Sequence, residues 1–136
     1  AGQWVNCVSS EAEAEVLTMA KRQEDLDAGV QRMLAMAEPG VFEVTRGVTR
    51  PVWEPDAGCL ELVTLAERLH SEVGLPFRHE SSGGGSDGNF TGAMGIPTLD
   101  GLGVDGDKFH TLEEHIVVDS LASRGKVFAG MLMGIK

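Results

Sequence analysis

The segment of residues 83–106 constrains the fold of this chain more than any other. Nine of its 24 residues are glycine, which disfavours a packed helix or a long strand because glycine loses the most backbone entropy on ordering. Such a content is typical of tight turns that bring the backbone close to a ligand. The sequence therefore predicts a loop-rich region here, with regular structure on both sides of it.

Residues 1 to about 50 form a predicted strand–helix–strand unit. Apolar and polar residues alternate over 4–16, which indicates a strand with one wet face. Apolar residues then recur at helical spacing over 26–37, up to Pro39-Gly40, and residues 41–45 have the pattern of a second strand. Such a unit buries too little apolar surface to be stable alone.

A domain boundary is predicted at about residue 50. Pro51 and Pro55 flank Trp53 there, and two prolines beside an aromatic residue indicate a stiff, extended connection. The hydrophobic pattern changes after it. We therefore divide the chain into residues 1–50 and 51–136.

The second part has the helix and strand rhythm of an α/β layered sheet. A helix is predicted over 60–73, an extended segment over 76–81, and a closing helix over 120–135 with Asp119 or Ser120 as its N-cap. Residues 51–136 contain only two or three predicted strands. We therefore expect an α/β fold that is incomplete, the end of a sheet whose other strands lie elsewhere.

The charge balance argues against two classes of partner. The formal net charge is −10, from 21 acidic and 11 basic residues, and no Lys/Arg cluster exceeds a pair. Neither nucleic acid nor an anionic membrane surface is expected as the main partner. No apolar run approaches the roughly 20 residues that a membrane-spanning helix needs.

The two cysteines, Cys7 and Cys59, lie 52 positions apart without the spacing of a zinc or redox motif. We expect free, buried thiols in a reducing compartment, which favours the cytoplasm. A disulfide between them is the alternative.

Residues 83–89 form the first candidate site. The sequence Gly-Gly-Gly-Ser-Asp-Gly-Asn follows an extended segment and precedes a short helical one, so its backbone N–H groups are placed to face an anion. It matches neither G-x-G-x-x-G nor Walker A, which makes nucleotide binding a weak interpretation. A plain connecting turn, with Asp87 capping the next helix, is equally compatible.

Residues 109–115 form the second candidate site, with His110, Glu113, Glu114 and His115. Such side chains bind metals or transfer protons. The histidines are five apart rather than four apart as in the helical zinc motif, so a solvated acidic loop is the alternative.

The other histidines and the cysteines offer no catalytic group. His70 and His79 are expected to be structural or exposed. No Gly-x-Ser-x-Gly elbow is present and neither cysteine has a nearby base, so no catalytic residue is assigned.

Three motifs in order resemble the C-terminal end of one family. They are SGGGSDGNF at 82–90, GIPTLDGLG at 95–103 and FHTLEE at 109–114. The chain is similar to the zinc metallopeptidase and aminoacylase family of glutamate carboxypeptidase, acetylornithine deacetylase and succinyl-diaminopimelate desuccinylase, peptidase clan MH. The resemblance extends weakly over nearly the whole chain.

This resemblance implies a fold and a set of site residues. Residues 1–50 look like the second half of a lid and dimerisation domain, and residues 51–136 look like the C-terminal part of a zinc-dependent α/β catalytic domain. In such enzymes two zinc ions activate a water molecule that attacks an amide carbonyl. His110 matches the one zinc ligand of this part, and Arg50 matches a position that meets a substrate carboxylate. The matching pocket loop consists of Gly83, Gly84, Gly85, Ser86 and Asp87.

Two departures accompany the match. The family's His-x-Asp motif, bridging Asp and Glu-Glu pair have no counterpart here. Leu17-Thr18-Met19 stands where Asp-x-Arg is usual, so one carboxylate-binding arginine is missing.

The resemblance predicts the C-terminal segment of a hydrolase that cleaves a peptide or N-acyl amide bond next to a carboxylate. Because the other metal ligands and the catalytic Glu are expected upstream, the 136 residues are predicted to be inactive alone and to hold zinc weakly or not at all. The alternative is a stand-alone dimerising or binding module. Unpaired sheet edges predict a homodimer or higher self-association in either case.

Overall fold

The structure is a computed structural model that describes residues 5–135. It is a mixed α/β structure, as predicted. The elements are α1 (Gln23–Leu34), α2 (Ala57–Glu72), α3 (Gly88–Ala93), β1 (Gly106–Asp107), β2 (His115–Ile116) and α4 (Ser120–Gly134). Two compact units divide the chain, one ending at Gly47 and the other starting at Val48. None of the helices described is long and apolar enough to cross a membrane.

The first unit is built around α1, which confirms the helical spacing in its sequence. Glu24 and Asp25 lie in the first turn and Arg32 in the last, an order that complements the helix dipole. Leu26 is the buried apolar residue of this helix. The chain then turns at Gly40, where a single bridge pairs Glu38 with Phe42.

Both strands predicted for this unit are wrong within the described residues. Residues 5–16 form no strand and lie exposed, and residues 41–45 contribute only the bridge at Phe42. Residue 4, also in the first predicted strand, lies outside the described part. A strand is stable only when a neighbour completes its hydrogen bonds, and the described residues of this unit supply none beside these segments.

The second unit has its core between α2 and α4. The buried apolar residues of this unit are Cys59, Ala66, Val127 and Met131. Two glycines bring the helices close: a methyl group on Gly130 would lie 2.7 Å from Leu69 Cδ2, and one on Gly134 would lie 3.0 Å from Leu65 Cδ2. The pairs run in opposite order along the chain, so the helices are antiparallel at this contact.

The ends of α2 have clear local causes. The Asp56 carboxylate accepts a hydrogen bond of 2.8 Å from the Cys59 N–H, so the helix begins three residues before the predicted stripe. At its other end Gly74 has φ +71°, a conformation that suits glycine, and the Leu75 N–H donates to the His70 carbonyl.

The cap of Asp56 makes helix stability depend on pH. The Cys59 backbone N–H lowers the pKa of the Asp56 carboxyl, so this group stabilises the fold above its ordinary pKa. That contribution is lost as the pH falls through the lower pKa of the folded chain. We expect the urea midpoint of the wild type to fall between neutral and strongly acidic pH, in part through protonation of Asp56. In Asp56→Asn that part of the fall should be absent. Asp119→Asn is the control, because the Asp119 side chain makes no cap hydrogen bond; an equal change in both variants would contradict the assignment.

Short strands replace the predicted layered sheet. β1 and β2 pair antiparallel, with Gly106 opposite Ile116 and Asp107 opposite His115, whereas the sequence pattern predicted the end of a parallel sheet. Residues 76–81, predicted to be extended, are in no strand. Closing helix α4 is confirmed. Its first residue, Ser120, donates to the Val117 carbonyl rather than capping the helix.

Candidate functional site

Arg50 lies beside the glycine loop. The Arg50 Nη2 atom is 3.5 Å from Asp87 Oδ1, and a methyl group on Gly85 would lie 3.2 Å from Arg50 Cδ. The ion pair is exposed on both sides, so water screens it and it contributes little to stability. Asp87 occupies the N-cap position of α3 without a cap hydrogen bond; its partner is Arg50.

Hydrogen bonds inside the loop leave some of its backbone donors free. The N–H groups of Gly84, Ser86 and Gly88 donate to side-chain oxygens of residues 82, 89 and 86. Within the described residues no hydrogen bond uses the N–H groups of Gly83 or Gly85. The loop is therefore a turn held by hydrogen bonds to its own side chains, and its anion-binding role stays a prediction.

Arg50 reaches the loop because the segment after it is fixed to α3. The Asn89 Nδ2 atom donates to the Pro51 carbonyl at 2.9 Å. The Trp53 indole lies against Gly92, where a methyl group would be 2.2 Å from Cδ1 of the ring. The indole Nε1 is buried and has no hydrogen-bond partner among residues 5–135, which is a cost of this packing.

His110 lies in the turn between β1 and β2 with an unusual backbone. Lys108 has φ 59° and His110 has φ 65°, and such left-handed conformations at non-glycine residues cost on the order of 1–3 kcal/mol each. Surrounding contacts hold the turn: Lys108 pairs with Glu113, and the His110 N–H donates to Glu114 Oε2 at 3.3 Å. The His110 residue is exposed.

The residues present fit one ligand of a metal centre and not a complete one. Within residues 5–135 no group of three or more His, Cys, Asp or Glu side chains is placed to hold a metal ion. Glu113 pairs with Lys108, and Glu114 accepts a hydrogen bond from the His110 N–H. The His115 Nδ1 lies 2.9 Å from the Glu113 carbonyl. None of the hydrogen bonds and ion pairs described for this turn reaches the glycine loop.

Arg124 is a polar residue of the closing helix that the sequence interpretation did not single out. Its Nε donates to the Gly103 carbonyl at 2.6 Å and its Nη2 to the Gly101 carbonyl at 2.7 Å. Its Nη1 lies 2.8 Å from His70 Nε2. No short sequence motif includes Arg124, because the nearer carbonyl that it binds lies 21 residues before it in the chain.

His70 is structural, as expected. It is buried, and its Nδ1 lies 2.7 Å from the Ala66 carbonyl. Because arginine only donates, the His70 Nε2 accepts from Arg124 and Nδ1 carries the hydrogen.

The thiols follow the sequence prediction in part. Cys7 and Cys59 are both free, Cys59 is buried, and Cys7 is exposed rather than buried as predicted. The buried Cys59 Sγ accepts a hydrogen bond of 3.4 Å from the Thr98 N–H.

The family resemblance of the three motifs is confirmed by comparison with known proteins. The chain belongs to peptidase family M20/M25/M40, whose model matches residues 11–134. It is 28% identical over 137 residues to the uncharacterized protein YqjE of Bacillus subtilis (strain 168), covering 96% of this chain and 36% of that protein. It is also 28% identical over 145 residues to carboxypeptidase G2 of Pseudomonas sp. (strain RS-16), covering 99% of this chain and 34% of that protein. No solved structure matches the chain significantly.

The chain thus spans about a third of the length of the curated relatives it matches. The matched residues include both candidate sites, the glycine loop and the His110 turn.

Proposed function

We propose that this chain forms part of a zinc-dependent hydrolase that cleaves a peptide or N-acyl amide bond next to a carboxylate. His110 is the zinc ligand that it supplies, and Arg50 with the glycine loop binds the substrate carboxylate. The observation that carries this proposal is the His110 turn: an exposed imidazole is held in a strained backbone by surrounding contacts. Such strain is concentrated at functional sites.

The metal chemistry of the proposal needs more ligands than the described residues offer. A zinc ion held at such a site supplies Lewis acidity toward water and an amide carbonyl. A catalytic zinc takes three protein ligands, and His110 is one. We therefore propose that residues 1–136 are inactive alone, and that they bind zinc only weakly, through His110.

Arg50 is suited to a carboxylate of the substrate. A guanidinium group binds a carboxylate through two parallel hydrogen bonds, and the free N–H groups of Gly83 and Gly85 lie in the loop beside it. Asp87 competes for the same guanidinium. Because that ion pair is exposed, exchanging Asp87 for a substrate carboxylate costs little.

A dimerising or binding module without catalysis is the second candidate. Exposed apolar side chains on α4 favour it, among them Leu121, Phe128 and Leu132, which are 49%, 48% and 62% exposed. Burial of such side chains drives association. We propose self-association of the chain on this ground, with or without catalysis.

The deciding experiment is a titration with zinc chloride, followed by the NMR signals of the histidine rings. In the wild type we expect the His110 ring to respond first, even if binding is weak. His110→Ala should weaken zinc binding by about tenfold or more. The matched control is His79→Ala, which removes an exposed histidine of another segment.

Two outcomes would contradict the proposal. One is an equal loss of zinc binding in both variants, which would make binding nonspecific. The other is a wild type whose His110 ring does not respond to zinc, which would favour the binding module.

A further inference from the structure

We propose that Arg124 is a positioning residue for the His110 turn, an inference that rests on the proposed role of His110. Arg124 lies on α4 and touches neither His110 nor the turn itself. It acts on the chain that enters β1. His110 is then presented by a framework that includes the closing helix and α2, in addition to the contacts within its own turn.

Arg124 binds the chain segment that leads into β1. Its planar guanidinium donates to the carbonyls of Gly101 and Gly103, and its Nε lies 3.8 Å from Asp105 Oδ1. The side chain is 17% exposed, so water competes poorly for these donors. The His70 Nε2 accepts a hydrogen bond from Arg124 Nη1, which fixes the guanidinium to α2.

Asp105 connects this segment to the turn. The Asp105 N–H donates to Ser120 Oγ at 2.9 Å, and the Asp105 carbonyl accepts from the Val117 N–H at 2.8 Å. Asp105 precedes β1 and Val117 follows β2, so both ends of the hairpin are fixed beside the start of α4. Arg124 lies about one helical turn beyond Ser120 and holds the approach to that anchor.

The contacts of Arg124 require an arginine. A lysine ammonium is a point charge and lacks the planar fork that reaches two carbonyls and an imidazole together. Arg124→Lys should therefore keep the positive charge and lose some of the hydrogen bonds to the two carbonyls and the imidazole. Arg124→Met keeps an apolar stem of similar length and loses the three nitrogen donors that make these contacts.

The experiment compares Arg124→Lys and Arg124→Met with Lys126→Met, which removes an exposed cation of the same helix. The first readout is amide hydrogen exchange at Asp105 and Val117, with amides of α2 as the reference. We expect protection at these two amides to fall about tenfold in Arg124→Met and less in Arg124→Lys, relative to α2. The control should leave it unchanged.

The second readout is the response of the His110 ring to zinc chloride, which we expect to weaken about tenfold in Arg124→Met. Unchanged exchange at Asp105 and Val117, or an equal loss at the α2 amides, would overturn the positioning role. If the wild-type His110 ring ignores zinc while exchange changes as expected, Arg124 still positions the turn and the proposed function fails. If zinc binds the wild type and both Arg124 variants equally, the proposed function stands and the positioning role fails.

Discussion

Gly92→Ala should destabilise the second unit by about 1–3 kcal/mol, the usual cost of overpacking. The added methyl group would lie 2.2 Å from Cδ1 and 2.3 Å from Cγ of the Trp53 ring. The indole has little room to withdraw, because Gly88 lies under its other edge and Asn89 binds the Pro51 carbonyl. Either the ring or the whole Pro51–Trp53 segment must move.

The measurement is urea unfolding followed by tryptophan fluorescence in a Trp4→Phe background, so that Trp53 is the one emitter. We expect a lower midpoint and a red-shifted native spectrum. Gly125→Ala is the matched control, because Gly125 is also helical and a methyl group there meets nothing within 4 Å. It should stabilise the chain by up to about 1 kcal/mol, the helix propensity difference. Two glycine variants with the same sign of effect would contradict the packing argument.

Gly106→Ala should break the pairing of β1 with β2 and cost about 1–3 kcal/mol of local stability. The methyl group would lie 2.6 Å from the His115 carbonyl oxygen. A backbone atom cannot rotate aside as a side chain does, so the two strands must separate. Because the hairpin carries His110, its ordered presentation should be lost with the pairing.

Hydrogen exchange at the Val117 amide reports this loss, since that N–H donates to the Asp105 carbonyl. We expect faster exchange there while the amides of α2 keep their protection. Gly103→Ala serves as the control: it keeps the carbonyl that Arg124 binds, and a methyl group there meets nothing within 4 Å. Normal exchange at Val117 in Gly106→Ala would show that the hairpin tolerates the methyl group.

The sequence predicted the helices better than the strands for a physical reason. The spacing of Leu26, Leu69 and Met131 with their neighbours is a local property, and α1, α2 and α4 follow it. A strand depends on a partner distant in sequence, and residues 5–16 have none among the described residues. The start of α2 was missed because Asp56 acts through one local hydrogen bond before the apolar stripe begins.

The site was predictable in its parts and not in its assembly. The motifs predicted roles for the glycine loop, Arg50 and His110 from short runs of sequence, and these roles stay predictions. The approach of Arg50 to Asp87 depends on Asn89, which binds a carbonyl 38 residues away. The Arg124–His70 hydrogen bond joins residues 54 positions apart, and no local sequence pattern predicts it. Long-range hydrogen bonds of this kind follow from packing, which a single sequence does not encode in any short window.

The two glycines of α4 also determine how the helix pair can be aligned. Leu65 and Leu69 are one turn apart, as are Gly134 and Gly130, so each leucine occupies the gap left by one glycine. Sliding α4 by one turn would set Leu65 against Gly130 and Leu69 against the long side chain of Lys126, which offers no such gap. The observed alignment gives each leucine its glycine, and it places Arg124 Nη1 2.8 Å from His70 Nε2. The alignment of the two helices, set by two glycines, thus determines which groups the Arg124 guanidinium can reach.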